Sequence, residues 1–390
     1  MPAPEMDVAA LMREPRVAGA LARLEAGADR ILDEAVRICQ IPSPTFDEAE
    51  RAAYIRARYA ALHLTDVAID AAGNVRGRRP GAGGGSSVAV VTHMDTVFPR
   101  GTDLTVKRQE GRLAAPGLGD NSLSIASALG IIEALDAAGV ATGGDLYFAA
   151  TTCEEGLGDL KGMRAYMPDV RDRVGAVVIV DGLTPGRIVH EAVGSRRYKV
   201  TYTARGGHSW NHFPSPSAVH ILARAIADIS RIEVPKEPKT TYNVGVIRGG
   251  TTVNTIASEA EMLVDMRSVD MRCLADLEGS VLAIVERQAK EGEGQATLSL
   301  VGDRPAGVIP ANHPLVQTCA AIYRTFGITT TSKAASTEAN VPLSMGIPAV
   351  CLSVTSGENE HRTDEFIETA PLVSGIQALL LILLTLAGRR

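Results

Sequence analysis

The 390-residue sequence has no surplus of positive charge: 39 Lys and Arg stand against 45 Asp and Glu, a formal net charge of −6. That balance gives no electrostatic reason to bind nucleic acid. Without a Lys/Arg run there is equally none to bind an anionic membrane surface. Cysteine is scarce and odd in number. The five residues, Cys39, Cys153, Cys273, Cys319 and Cys351, are widely scattered, which argues against a disulfide framework and for reduced thiols in the cytoplasm. The opening MPAPEMDVAALMREP carries acids and prolines where a secretory signal carries a basic head and an apolar run, so a cytoplasmic location is expected. The one membrane-like stretch, the C-terminal ALLLILLTLAGRR, is too short to span a bilayer and reads as a buried helix. No internal repeat or low-complexity tract is present.

What is there is an ordinary globular composition, 45% hydrophobic and 22% charged, in a chain long for a single core. Residues 16–40 and 47–62 carry apolar positions at helical spacing, and VAIDAAGNVRGR reads as a hairpin closing on Gly73 and Asn74. The run VAVVT is a strand, NSLSIASALGIIEALDAAG a helix, and GGDLYFAATT and VGAVVIVDG further strands. Short apolar runs alternating with helices indicate an α/β fold with a mostly parallel sheet covered on both faces. Near residue 192 the texture changes. From there the order is β-α-β-β-α-β, that of a ferredoxin-like α+β unit, and α/β texture returns after residue 306. The expected division is an α/β catalytic domain over 1–191 and 306–390, interrupted by an inserted α+β domain over 192–305.

The strands of the first part end in ionisable residues. His93 and Asp95 lie two positions apart in VVTHMDTVFP, so they share one face at the strand end. Asp120 sits in GLGDNS, Glu154 and Glu155 follow AATTC, Asp181 closes AVVIVDG, and His361 lies in SGENEHRTDEF. Taken singly, each has a bland reading: a histidine capped by a carboxylate, glutamates favoured by a helix dipole, a turn or N-cap aspartate, a solvated loop histidine. Their joint placement points elsewhere. Open α/β sheets bind ligands beyond the carboxyl ends of their strands, and carboxylates gathered there repel one another unless a cation intervenes. Mixed imidazole and carboxylate donors suit zinc, with manganese or cobalt as alternatives.

At this point the sequence resembles the M20 family of co-catalytic metallopeptidases and amidohydrolases. The resemblance covers nearly the whole chain and rests on THMDTV, GLGDN, TCEEGLG, VVIVDG, GGHS, GGTTVNTIAS with VDMRS, and GENEHR. It implies two divalent metal ions, one held by His93 and Asp181 and the other by Glu155 and His361, with Asp120 bridging. It implies Glu154 as the base that activates water, and Asp95 as the partner that hydrogen-bonds His93 and fixes its tautomer. A cis peptide at Asp120–Asn121 belongs to the same pattern. The inserted domain becomes a lid and dimerisation domain of a homodimer, from which His208 reaches a neighbouring subunit's site to stabilise the oxyanion. Asn254 and Arg267 match residues that grip the substrate's carboxylate or backbone. An ion pair between Arg267 and Asp265 is the bland competitor. Glu338, in STEANVPLSMGIP, falls in a segment like that lining the specificity pocket. His190, His212, His220 and His313 match no motif.

The substrate hints conflict. Asp181 stands where carboxypeptidase-like and deacylase-like members have Glu, which tilts toward the peptidase T branch; THMDTVFP looks like the glutamate carboxypeptidase branch. The leading expectation is an exopeptidase on short peptides. The alternative is an amidohydrolase that removes an acyl or carbamoyl group from an amino-acid derivative. A non-catalytic metal-binding module is the reading of another class, and Glu154, a base with no expected ligation, argues against it.

Overall fold

The computed structural model describes residues 8–388. The first seven residues of the opening used for the export reading lie outside the described residues, as do the final Arg389 and Arg390. The chain forms two compact units, one running to Glu191 and resuming at Val308, the other Ala192–Gly307.

The first unit is built on a six-stranded sheet in the order Thr65–Ile69, Val75–Arg79, Leu146–Thr151, Ser87–His93, Val174–Val180, Ala349–Leu352. The first two strands are the antiparallel hairpin around Gly73, and the last four run parallel. Val88 to Val91 and Val177 to Val180 are buried, as expected of strands covered on both faces. The helix Leu123–Ala137 is buried almost all round, and so is the 16-residue terminal helix Leu372–Ala387. At Gly375 that helix approaches the backbone so closely that a Cβ would lie 1.9 Å from the carbonyl oxygen of Val354. Among the described residues no helix is long and apolar enough to cross a membrane.

Two local features depart from the sequence reading. The helical stretch over 16–40 is broken at Gly27 into Pro15–Ala26 and Ala28–Cys39, where an added Cβ would meet the Arg23 carbonyl oxygen at 2.9 Å. A second, antiparallel sheet joins Gly357–Glu358, Phe366–Glu368, Arg112–Ala114 and Lys107–Gln109. Its strands of two or three residues are too short to show a period. The loop between Gly357–Glu358 and Phe366–Glu368 carries His361.

The second unit is built on a four-stranded sheet, in the spatial order Thr240–Gly249, Glu259–Ser268, Gly194–Thr203, Gln295–Arg304, all neighbours antiparallel. Helices Ala218–Ile229 and Met271–Glu291 cover one face and bury Val200, Tyr202, Met262, Val264 and Met266 against Ile221, Leu277 and Val281. Asp270 caps the longer helix, accepting from the backbone N–H of Arg272 and Cys273.

Candidate active site

Three parallel strands deliver acid or imidazole groups to one edge of the sheet. Ser87–His93 ends on His93, Leu146–Thr151 leads into Glu154 and Glu155, and Val174–Val180 leads into Asp181. The Met94 N–H donates to the Thr151 carbonyl at 2.7 Å and holds two of these ends together. Asp120 arrives from the turn before Leu123–Ala137. That turn needs glycine at 117: φ is +71°, and a Cβ would sit 2.7 Å from Thr96 Cγ2. The Asp120–Asn121 peptide is cis. Asn121 then donates to the Val180 carbonyl at 3.0 Å, fixing the strand end that carries Asp181.

The groups converge as two triads sharing one carboxylate. Asp120 Oδ1 lies 3.0 Å from His93 Nε2, and Asp120 Oδ2 lies 3.1 Å from His361 Nε2. Asp181 Oδ1 is 3.5 Å from His93 Nε2, and Glu155 Oε1 is 3.0 Å from His361 Nε2. In each triad, His93–Asp120–Asp181 and Asp120–Glu155–His361, one ligand atom per residue lies within 4.8 Å of the others. Glu154 is buried, and it joins His93 and Glu155 in a third such group.

The donor set fits divalent cations. His93 Nδ1 lies 3.0 Å from the Asp95 carbonyl oxygen, which can only accept, so Nδ1 carries the hydrogen of the neutral ring. Nε2 then presents a lone pair toward carboxylate oxygens. Asp120 Oδ1, buried and close to it, has no hydrogen-bond partner among the described residues. Two electron-rich atoms facing each other in a buried place call for a positive centre. Their electrostatics agree. Burial opposes charge on His93, but Asp120, Asp181 and Asp95 outweigh it and hold the imidazole well above its usual range. Hydrogen bonds to Asp120 and Glu155 push His361 up to about 11. Burial works to raise Asp120, and the two imidazoles draw it below the ordinary carboxylate range instead.

Asp95 acts differently from a simple clamp on His93. Its backbone carbonyl is the near partner of Nδ1; its carboxylate Oδ1 is 3.6 Å away. That carboxylate, fully buried, accepts from the N–H of Glu154 and of Glu155, each at 2.9 Å, and from Thr45 Oγ1 at 3.0 Å. It therefore fixes the backbone of the two glutamates. Glu338 is 1% exposed, with Oε1 on Thr151 Oγ1 and Oε2 unpartnered. Burial pushes its pKa up to about 7.

The remaining expected residues belong to the second unit. His208 is exposed, on a short strand paired with Thr255–Ile256, and its Nδ1 accepts from the N–H of Trp210. Asn254 adjoins it: its carbonyl accepts from the Ser209 N–H, and its side chain takes the Thr252 hydroxyl. Arg267 donates to Asp265 at 2.7 Å, the ion pair named as its competitor.

One residue of the site escaped the sequence reading. Glu365 is buried four positions after His361, and its carboxylate accepts from the N–H groups of Gly117, Gly119 and Asp120 at 2.7–3.2 Å. Burial, then the charge of Asp120, pushes its pKa up to about 8. It ties the His361 loop to the Asp120 turn. Nothing local marks it, because its partners are backbone amides some 245 residues away.

Residues 89–385 match the family described as Peptidase family M20/M25/M40. The chain is 24% identical over 368 residues to the uncharacterized protein YqjE of Bacillus subtilis, covering 89% of this chain and 97% of that protein. It is 26% identical over 307 residues to an acetylornithine deacetylase of Klebsiella pneumoniae, covering 74% and 76%. Its fold is similar to that of aminopeptidase PepT from Bacillus cereus, with TM-score 0.78 and 23% identity over 93% of this chain and 99% of that one. It is also similar to a tripeptidase from Staphylococcus aureus, with TM-score 0.81 and 23% identity over 92% and 98%. The family match spans most of the sequence and includes every residue of the acid–imidazole cluster: the chain belongs to the metal-dependent peptidase family M20/M25/M40, as a hydrolase of amide bonds.

Proposed function

We propose that this chain is a dinuclear zinc exopeptidase acting on short peptides. The observation that carries the reading is the pair of triads sharing Asp120, each with one imidazole nitrogen and carboxylate oxygens. His93 and Asp181 would hold one ion, Glu155 and His361 the other, and Asp120 both. When bound, such ions make water acidic and polarise an amide carbonyl. Glu154 takes the proton of the attacking water and returns it to the leaving nitrogen. The Asp95 carboxylate keeps Glu154 aimed through its backbone N–H.

The second unit we assign as a ferredoxin-like lid and dimerisation domain over about 192–305. Its βαββαβ order and four-stranded antiparallel sheet support this, as do the edge strand Thr240–Gly249 and the exposed Ile247 and Val253. There His208 serves as oxyanion donor, with Asn254 and Arg267 as carboxylate-binding groups. The five cysteines, all free thiols, support a cytoplasmic location. The acetylornithine deacetylase relative favours a second reading, removal of an acyl group from an amino-acid derivative.

A panel of tripeptides, C-terminal glutamyl peptides and N-acyl amino acids, offered to zinc-loaded and chelated protein, separates the two. Glu154→Gln should abolish turnover with metal content near normal. Turnover retained by that variant removes Glu154 from the mechanism, and no hydrolysis of any amide by zinc-loaded protein overturns the proposal.

A further inference from the structure

Three large apolar side chains stand exposed at one rim of the first unit. Phe46 and Leu157 are each 62% exposed and Val97 is 39% exposed. Lone exposed apolar residues are ordinary, but three that converge on one groove are not. Here they line a groove of about 290 Å³ together with Pro44, Pro99 and the carboxylate-bearing Glu155, its one charged residue.

The groove is built, not incidental. Leu157 sits in the turn that follows Glu155, closed by the Gly158 N–H on the Glu155 carbonyl at 2.8 Å. Val97 lies two residues past Asp95 on a backbone held by the Thr96 N–H donating to Ser43 O at 2.9 Å. Phe46 is held hardest. Its φ is +75°, a left-handed conformation that a bulky residue rarely adopts, and one oxygen of the buried Glu48 accepts from both the Phe46 N–H at 3.1 Å and the Cys153 N–H at 3.0 Å. Arg51, fully buried, donates to the carbonyls of Cys39, Ile41 and Met94 and anchors the start of the same loop. The phenylalanine is thus fixed to the segment that carries the two candidate site glutamates.

An exposed aromatic ring kept out of the core by strained backbone costs stability unless something covers it. Glu155 lines both the groove and the acid–imidazole cluster, so an occupant of the groove lies against the reacting centre. Among the described residues no cationic side chain lines it, so an acidic side chain finds no partner there. A basic side chain would meet only Glu155, whose carboxylate is engaged by His361.

We propose that the groove between Phe46, Val97 and Leu157 is a subsite for an uncharged apolar side chain. On this reading the chain acts on peptides or acylated amino acids with a leucine- or phenylalanine-like residue beside the scissile amide. The inference rests on the amide-hydrolase site proposed above and adds its substrate class. Apolar contacts of this kind discriminate by about 10- to 200-fold per methylene. Two matched series, Xaa-Gly-Gly and Gly-Gly-Xaa with Xaa as Leu, Phe, Ala, Asp or Lys, test it with zinc-loaded protein. In one series kcat/KM should be at least tenfold higher for Leu or Phe than for Ala and lower still for Asp and Lys. Phe46→Ala and Leu157→Ala should each remove about tenfold from the Leu and Phe substrates. The loss on the Ala substrate should be smaller, and the zinc content should hold.

Calorimetric binding of the same peptides to zinc-loaded Glu154→Gln protein reads the preference without turnover. Apolar preference in binding, with no cleavage by the wild type, would retain the subsite and reject the hydrolase. Equal losses on every substrate, a preference for Asp or Lys, or no preference in either assay overturns the subsite. So does a change of oligomeric state by sedimentation in Phe46→Ala with selectivity intact, which would give the rim to a second copy of the chain.

Discussion

Replacing Asp95 by asparagine isolates what a buried carboxylate does when it accepts hydrogen bonds from the backbone of two glutamates. The isosteric amide keeps one oxygen. Its better orientation leaves that oxygen on the Glu155 N–H and Thr45 and turns the NH2 group against the Glu154 N–H, now 2.9 Å from a donor instead of an acceptor. One charge-assisted hydrogen bond is lost, and one buried N–H is left unpaired. With about 1.5–3 kcal/mol for the first and about 1–3 for the second, partly offset by removing a buried charge, the expected loss is about 3 kcal/mol. The pH dependence has a definite sign. Contacts with His93 and the two backbone amides overcome burial and hold the Asp95 carboxyl below its ordinary 3.8. Its contribution is therefore complete above that value and is lost as pH falls through the lower folded one, so the gap between wild type and variant should close in acid. Urea unfolding of chelated protein from pH 3 to pH 7 measures it. Because the Asp95 carbonyl, which the substitution spares, sets the His93 tautomer, zinc content should hold. The displaced Glu154 should cost about 10²-fold in kcat. A variant within 0.5 kcal/mol of wild type at pH 7 with normal kcat would refute the reasoning. Loss of zinc with Glu154 undisturbed would return Asp95 to the role of a clamp on the histidine.

Three further outcomes are expected. Glu365→Gln places an amide group against one of three N–H donors and loosens the Asp120 turn, so zinc affinity should fall about 10- to 100-fold in competition with a chromogenic chelator; an unchanged affinity rejects the positioning role. Zinc should stabilise chelated protein by about 2.7 kcal/mol at a hundredfold excess over Kd and so raise its thermal midpoint, because only the folded chain gathers the two triads; a midpoint indifferent to zinc and chelator contradicts that. Gly375→Ala forces a methyl group onto the Val354 carbonyl and should cost about 3 kcal/mol or more in thermal unfolding, whereas a neutral substitution would show that the terminal helix can shift.

The parts legible in the sequence were those with a local signature. VAVVT reads as a strand because an unbroken β-branched run suits a sheet covered on both faces, and His93 and Asp95 follow from the period of two at its end. Asp120, Glu155, Asp181 and His361 are individually ambiguous, and became a cluster only because three of the motifs follow parallel strands or a helix start on one edge. What stayed hidden depends on distance. Glu365 and Glu48 are ordinary acids in polar loops, and their partners are backbone amides that only the folded chain brings near. Phe46, Val97 and Leu157 are single apolar residues in three separate turns with no shared period. Glu338, from a segment like that lining the specificity pocket, lies in the turn before the helix Asn340–Ser344, where only the folded chain buries it and brings it to Thr151.

The division of Asp120, one oxygen toward each imidazole, has a thermodynamic corollary. If the proposed pair of ions is bound, a single carboxylate common to both coordination spheres would make them one linked system, in which whatever the first ion does to the affinity for the second, the second does equally to the first. Titration with metal should then not follow two identical independent steps. A lesion at His93 should weaken retention at His361 although the two rings never touch.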